Sequence, residues 1–144
     1  ILLGKTGGQP ITALYAYIDA SQKVVKFSRA GHPLPLIYSQ NSNKAFEVYV
    51  PGKILGVFKD LKNETITYQL HSNDRIILYT DGITEIRNSK SEIFGIERFI
   101  SCIEKNSHKS NAELIDSIVD TVIQWAESKD RITDDISIVI VEIK

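Results

Sequence analysis

Hydrophobic and polar residues alternate along the first two-thirds of the chain in the manner of β-strands. Between residues 24 and 30, for example, Val25 and Phe27 fall on one face and Lys26 and Ser28 on the other. Residues 75–80 instead have a continuous apolar centre, which is typical of a strand buried on both faces. The predicted strands cover residues 11–19, 24–30, 34–39, 46–50, 65–70, 75–80 and 136–143.

Helical spacing replaces this alternation between the last two predicted strands. Apolar residues recur three or four positions apart after Gly95, which predicts a short amphipathic helix. Ser110 and Glu113 form a capping box, and a wide apolar stripe behind it predicts a second helix that ends near Lys129. Several strands, a helical pair and a final strand predict an α+β fold, with the helices stacked on a mainly antiparallel sheet.

Composition narrows the class of protein. A chain of 144 residues, 42% apolar and 24% charged, is typical of one globular domain. Seventeen basic and eighteen acidic residues give a net charge of −1, which argues against a broad basic face for nucleic acid. The single cysteine excludes an internal disulfide, and no apolar run approaches the roughly 20 residues of a membrane span. We therefore expect a soluble, cytoplasmic domain that binds neither nucleic acid nor membrane.

Two acidic positions differ from the surface background. Asp81 ends the apolar strand and is followed by Gly82, which leaves room for an unusual backbone turn. Asp134 and Asp135 stand just before the last strand, so they converge with Asp81 if the two strands are neighbours. Carboxylates without histidine favour Mg²⁺ or Mn²⁺ over zinc or copper. The alternative is that these aspartates begin or cap turns and accept backbone N–H groups, and spacing alone does not decide between the two.

Motifs along most of the chain resemble those of one enzyme family. They are ITALY at 11–15, RAGHP at 29–33, LG at 55–56, NDRIILYTDGITE at 73–85, FG at 94–95 and TDDIS at 133–137. The residues in these motifs, and the order of the motifs along the chain, are similar to those of the bacterial PPM-type (PP2C-like) serine/threonine phosphatases of the stage II sporulation protein E and sigma-B regulator group. The resemblance implies a PP2C-like β-sandwich of mainly antiparallel strands flanked by helices.

The resemblance also implies a chemistry and a set of site residues. The family is expected to hold two Mn²⁺ or Mg²⁺ ions, whose bound water attacks a phosphoserine or phosphothreonine. Asp81 and Asp134 match metal-ligand positions and are the predicted catalytic and metal residues. Asp135 stands where eukaryotic relatives carry asparagine, so it is a weaker metal candidate. His32 and Glu85 belong to family motifs. His32 is expected to order the turn between two strands, and Glu85 is expected either to be structural or to contact the metal ligands without binding the metal itself.

One departure from the family concerns the start of the chain. The family begins with a strand that carries D-x-x-G-H-G, followed by two helices, and no D-x-x-G precedes Asp81. The sequence also contains no methionine and begins with Ile1. We therefore expect residues 1–144 to be one partial phosphatase domain that lacks its first strands and helices. Such a fragment is expected to bind metal weakly, and an exposed sheet edge favours self-association, for example as a homodimer.

The resulting hypothesis is an enzyme that acts on a regulatory protein. In the family the usual substrate is a phosphorylated anti-anti-sigma factor, and an upstream sensory domain in the same chain usually controls activity. The alternatives are a non-catalytic module that binds a partner on the same scaffold, and a fragment that is inactive on its own. A D-x-x-G motif upstream of Ile1 favours hydrolysis, whereas its absence favours the binding module.

Overall fold

A computed structural model describes residues 5, 7–58 and 63–144 of the chain. The elements in chain order are β1 (Ala13–Asp19), β2 (Val24–Ala30), β3 (Leu36–Ser39), β4 (Lys44–Glu47), β5 (Thr65–Gln69), β6 (Arg75–Tyr79), α1 (Gly95–Lys105), α2 (Asn111–Ala126) and β7 (Ile138–Glu142). They form two compact units. The first combines the segments up to Leu34, Val48–Ser72 and Ile143–Lys144, and the second combines Pro35–Glu47 and Asn73–Glu142.

The first unit contains a three-stranded antiparallel sheet in the order β1-β2-β5. The alternation predicted for β2 is confirmed, because Val25 and Phe27 are completely buried and Lys26 is exposed. On the edge strand β1, Tyr15 and Tyr17 point outward with 66% and 52% of their surface exposed.

The second unit contains a four-stranded antiparallel sheet in the order β4-β3-β6-β7, with α1 and α2 packed on one face. The central strand β6 is buried on both faces, as predicted, since Ile76 and Ile77 each have 0% exposure. Phe99 from α1 and Leu114 from α2 join Ile77 in a continuous apolar core. Antiparallel sheets combined with two helices confirm the α+β class.

The prediction for the fourth strand was wrong at both ends. Strand β4 covers Lys44–Glu47 rather than residues 46–50, because Asn43 adopts a left-handed φ of 54° and closes the hairpin with β3. The buried residue Val50 makes no ladder hydrogen bond. Its carbonyl oxygen instead accepts one from the Arg29 side chain at 2.6 Å.

Helix α2 begins where the sequence predicts and ends earlier. Ser110 accepts the N–H of Glu113, whose side chain in turn accepts the N–H of Ser110, so both halves of the capping box are present. The helix ends at Ala126 because Glu127 adopts a left-handed φ of 62°. A single 3₁₀ turn over Lys129–Arg131 then leads the chain towards the second acidic position.

Candidate functional site

The two acidic positions meet at one edge of the second unit's sheet. Strands β6 and β7 are antiparallel neighbours with Tyr79 opposite Ile138, which confirms the pairing on which their convergence depended. The chain leaves β6 through Asp81 beside the point where residues 134–137 enter β7.

The hydroxyl group of Thr80 ties these two segments together. It donates a hydrogen bond to the carbonyl oxygen of Asp135 at 3.0 Å and accepts one from the N–H of Ser137 at 2.9 Å. The backbone N–H of Thr80 also donates to the Ser137 carbonyl oxygen at 3.1 Å. Three hydrogen bonds therefore fix the approach to β7 against the end of β6. The sequence analysis missed this role, because it depends on the register between strands.

Gly82 allows the close approach of the same segments. A Cβ atom built at this position would lie 2.4 Å from the carbonyl oxygen of Asp135, which is shorter than a non-bonded contact permits. The backbone of Gly82 does not have a positive φ. The requirement for glycine is therefore space, and the unusual backbone turn expected from the sequence is not the reason for it.

The three aspartates are exposed and differ in their hydrogen bonds. Asp134 Oδ1 accepts the N–H of Asp135 at 2.8 Å, so the backbone-capping alternative describes this residue in part. Only the main chain of Asp81 is engaged, because its carbonyl oxygen accepts the N–H of Glu85 at 2.9 Å. The Asp81 carboxylate has no hydrogen-bond partner among residues 5, 7–58 and 63–144. It is available to an ion or a substrate.

A cavity of about 480 Å³ opens beside this edge, and Gly82, Glu85 and Asp134 line it. Arg87 and Arg131 line it as well. The Arg87 guanidinium donates to the Ser91 carbonyl oxygen at 2.7 Å, whereas the Arg131 side chain has no partner in the described part of the chain. The sequence analysis did not single out either arginine, since both lie in polar segments that resemble ordinary solvated surface.

The donor chemistry of this edge fits Mg²⁺ or Mn²⁺, because all the candidate ligands are carboxylate oxygens. The number of donors is lower than such an ion requires. Within the described ranges, no group of three or more histidine, cysteine, aspartate or glutamate side chains is close enough to hold a metal. The roles of Asp81, Asp134 and Asp135 as metal ligands therefore stay predictions.

His32 lies in the first unit, in a turn held by Arg29. The Arg29 guanidinium donates to the carbonyl oxygen of His32 at 2.7 Å, and His32 Nδ1 lies 3.2 Å from the Pro33 carbonyl oxygen. These contacts are those of a histidine that orders a turn between strands. Glu85, in contrast, lines the cavity beside Asp134.

Of the helices described, none is both long and apolar enough to cross a bilayer.

The fold is that of PP2C-type phosphatase domains. The SiaA-PP2C domain of Pseudomonas aeruginosa superposes with a TM-score of 0.78 at 19% identity, over 94% of this chain and 53% of that one. The phosphatase domain of SpoIIE from Bacillus subtilis, presoaked with Mn, gives a TM-score of 0.65 at 22% identity, over 92% of this chain and 56% of that one. These likenesses show the fold.

The chain belongs to the stage II sporulation protein E (SpoIIE) family, because the sequence profile of that family matches residues 3–144. Among curated relatives, phosphoserine phosphatase RsbU of Bacillus subtilis (strain 168) is 26% identical over 136 residues. That match covers 93% of this chain and 39% of RsbU, so the chain spans about two-fifths of this relative's length.

Proposed function

We propose that this chain forms the C-terminal portion of a metal-dependent phosphatase domain, which hydrolyses phosphoserine or phosphothreonine on a small regulatory protein. The observation that carries the proposal is that the segments bearing Asp81 and Asp134 lie side by side at the end of β6, in a member of the SpoIIE family. The name of RsbU, a phosphoserine phosphatase, supports the same class of reaction.

In this proposal Asp81 and Asp134 each offer one carboxylate to a divalent ion, and Asp135 is a weaker third candidate. Mn²⁺ or Mg²⁺, of which two ions are expected in the complete domain, would supply an acidified water molecule and would offset charge on the phosphoryl oxygens. The protein holds the candidate ligands in position. Thr80 holds the Asp134 segment through its hydroxyl group, and Gly82 leaves the space in which that segment lies.

Arg131 and Arg87 would orient the phosphoryl group in the adjoining cavity. A guanidinium group pairs with phosphate oxygens through two parallel hydrogen bonds, and the Arg131 side chain is unpartnered within the described residues. Arg87 is already held by the Ser91 carbonyl oxygen, so it presents its remaining N–H groups from a fixed position. Glu85 and Asp134 line the same cavity.

The proposed partners follow from the family. The substrate would be a phosphorylated protein of the anti-anti-sigma type, which implies a cytoplasmic location, and an upstream sensory domain in the same protein would control the reaction. The edge strand β1, with Tyr15 and Tyr17 exposed, is the surface on which a homodimer would pair.

The test is Mn²⁺-dependent hydrolysis of p-nitrophenyl phosphate by the whole protein that contains this chain. We expect Asp81→Asn and Asp134→Asn each to lower turnover by at least about a hundredfold, because each removes an anionic ligand. Asp120→Asn, an exposed aspartate on α2, is the matched control and should retain activity. Full activity in either site variant would remove that aspartate from the proposed centre.

One observation favours a second candidate, a non-catalytic module that binds a partner. The described residues contain no group of three potential ligands, and a binding module needs none. The two candidates differ in their response to metal. A folded whole protein that shows no turnover and no Mn²⁺ binding in a titration would be the binding module, whereas Mn²⁺ binding lost in Asp81→Asn would indicate an enzyme that lacks its activator.

A further inference from the structure

A second cavity lies in the groove between α1 and α2, away from the residues of the candidate metal centre. It has a volume of about 490 Å³, within the range of about 300–1,000 Å³ that ligand sites occupy in proteins. The groove is lined by side chains from both helices and from the residues on either side of α1, among them Phe94, Arg98, Lys105 and Trp125.

The wall of the groove is partly aromatic. Phe94 and Trp125 meet edge to face, with ring centroids 6.1 Å apart and planes at 65°. The indole N–H of Trp125 is shielded from solvent and has no hydrogen-bond partner in the described ranges. Phe94 is only 2% exposed and supports the half-buried Trp125, so an apolar side chain placed in the groove would contact mainly the Trp125 ring.

Arg98 is held in a fixed orientation at the rim. Its guanidinium carbon lies 4.1 Å from the centre of the Trp125 ring, a cation–π contact. Its Nη1 donates to the carbonyl oxygens of Phe94 at 2.9 Å and Ile93 at 3.3 Å. Nε and Nη2 have no partner in the described part of the chain, so the edge that binds a carboxylate in two parallel hydrogen bonds is free.

Lys105 provides a second positive charge on the same face of α1. It follows Arg98 by seven residues, which places the two Cα atoms about 10 Å apart along the helix axis. Lys105 is exposed and has no ion-pair partner within the described residues. The lining of the groove contains no aspartate or glutamate, so nothing there neutralises the two cations.

We propose that this groove binds an acidic peptide segment of a partner protein, with carboxylates at Arg98 and Lys105 and an apolar side chain between them against Trp125. The separation of the two cations favours a peptide over a small carboxylate, because one carboxylate spans only a few ångströms. The proposal does not rest on the phosphatase function, since it uses none of the residues of the candidate metal centre.

Trp125 is the only tryptophan of residues 1–144, so within this segment a change in tryptophan fluorescence reports on the groove. The probe is a blocked hexapeptide of sequence EELLEE, and its neutral counterpart QQLLQQ is the matched control. We expect a saturable change in Trp125 emission with the acidic peptide only, and titration calorimetry of the same samples gives a second readout. Added salt should weaken binding, because both contacts are charge pairs near the surface.

Substitutions locate the interaction. Lys105→Ala should weaken EELLEE binding about fivefold to tenfold without affecting the fold, because Lys105 is exposed, and Arg98→Ala should weaken it further. Lys26→Ala, which removes an exposed lysine of β2, is the charge-matched control and should leave the affinity unchanged. Absence of binding by both readouts, equal binding of QQLLQQ, or an unchanged affinity in Lys105→Ala would overturn the proposal. Equal binding of succinate or inorganic phosphate would overturn the assignment to a peptide.

Discussion

At Gly82 the chain passes so close to the segment before β7 that a methyl group has no room. Gly82→Ala would place its Cβ atom against a backbone oxygen that cannot rotate away. We expect the substitution to lower the free energy of unfolding by about 1–3 kcal/mol, as overpacking does, and to displace Asp134. Urea denaturation and Mn²⁺ titration together measure both effects.

The comparison for Gly82→Ala is Gly7→Ala. Gly7 has a left-handed φ of 63°, and no atom of the described residues lies within 4 Å of a Cβ built there, so its substitution tests backbone strain without crowding from them. It should cost roughly 1 kcal/mol and leave metal binding unchanged. If Gly82→Ala behaved in the same way as Gly7→Ala, close approach at the candidate site would not be the constraint.

The ionisation of Tyr79 makes the second unit less stable at alkaline pH. Burial, with a smaller contribution from the charge of Glu47, raises the pKa of Tyr79 from its usual 10.0 to about 12. The folded state therefore keeps a proton that the unfolded state loses, so this contribution is complete below pH 10 and is lost as the pH rises towards 12. At about pH 11 the free energy of unfolding should have fallen by about 1 kcal/mol.

Tyr79→Phe removes the titrating hydroxyl group and retains the ring that packs against Phe99 at a centroid distance of 4.8 Å. We expect its urea midpoint to fall less steeply than that of the wild type between pH 10 and 12. Tyr15→Phe, at an exposed tyrosine, should follow the wild type. Parallel curves for all three proteins would show that Tyr79 does not titrate differently in the folded state.

Among the elements, α2 depends most clearly on a local motif. Ser110→Ala removes the hydroxyl group that accepts the Glu113 N–H and should lower the free energy of unfolding by about 1 kcal/mol at neutral pH. Hydrogen bonds from the Ser110 side chain and backbone also lower the pKa of Glu113 below its usual 4.5. This part of the stability is present above that pH and is lost as the pH falls through the lowered value.

Thermal unfolding of Ser110→Ala at several pH values checks this prediction. The difference from the wild type should shrink under acidic conditions, where protonated Glu113 accepts more weakly. Ser89→Ala, in an exposed loop, is the control and should unfold with the wild type at every pH. A difference that stays constant down to acidic pH would assign the effect to the Ser110 hydroxyl group alone.

The sequence predicts the bounds of an element well when the residues that determine them are neighbours along the chain. The start of α2 follows from Ser110 and Glu113, which are neighbours along the chain, so the sequence predicts it to the residue. The end of α2 depends on a left-handed Glu127, and neither glycine nor asparagine marks that position. Strand β4 was misplaced because its bounds depend on the Asn43 turn and not on hydrophobicity.

The candidate site shows the same distinction. The sequence predicts that Asp81 and Asp134 approach each other only if the two apolar strands beside them are neighbours, and the structure shows that β6 and β7 do pair. The contact of Thr80 with Asp135 joins residues that are far apart in sequence, and it exists only in one register of β6 and β7. Arg131 lines the cavity from a 3₁₀ turn over Lys129–Arg131, and no periodic pattern in the sequence predicts that turn.

At the scale of the whole molecule, the two units differ in how many stretches of chain they need. The second unit takes two stretches, and the first takes three, of which the last is only Ile143–Lys144. The buried side chain of Ile143 therefore belongs to the first unit, although the last strand of that unit's sheet, β5, already ends at Gln69.

This interleaving has a consequence for synthesis on the ribosome. The second unit lacks its edge strand β7 until Glu142 has been made, and the first unit lacks its last residues until Lys144 has been made. Within residues 1–144, β7 can therefore pair with β6 only after all the other elements of the second unit have been made. Pairings that join such distant residues are also slow to form.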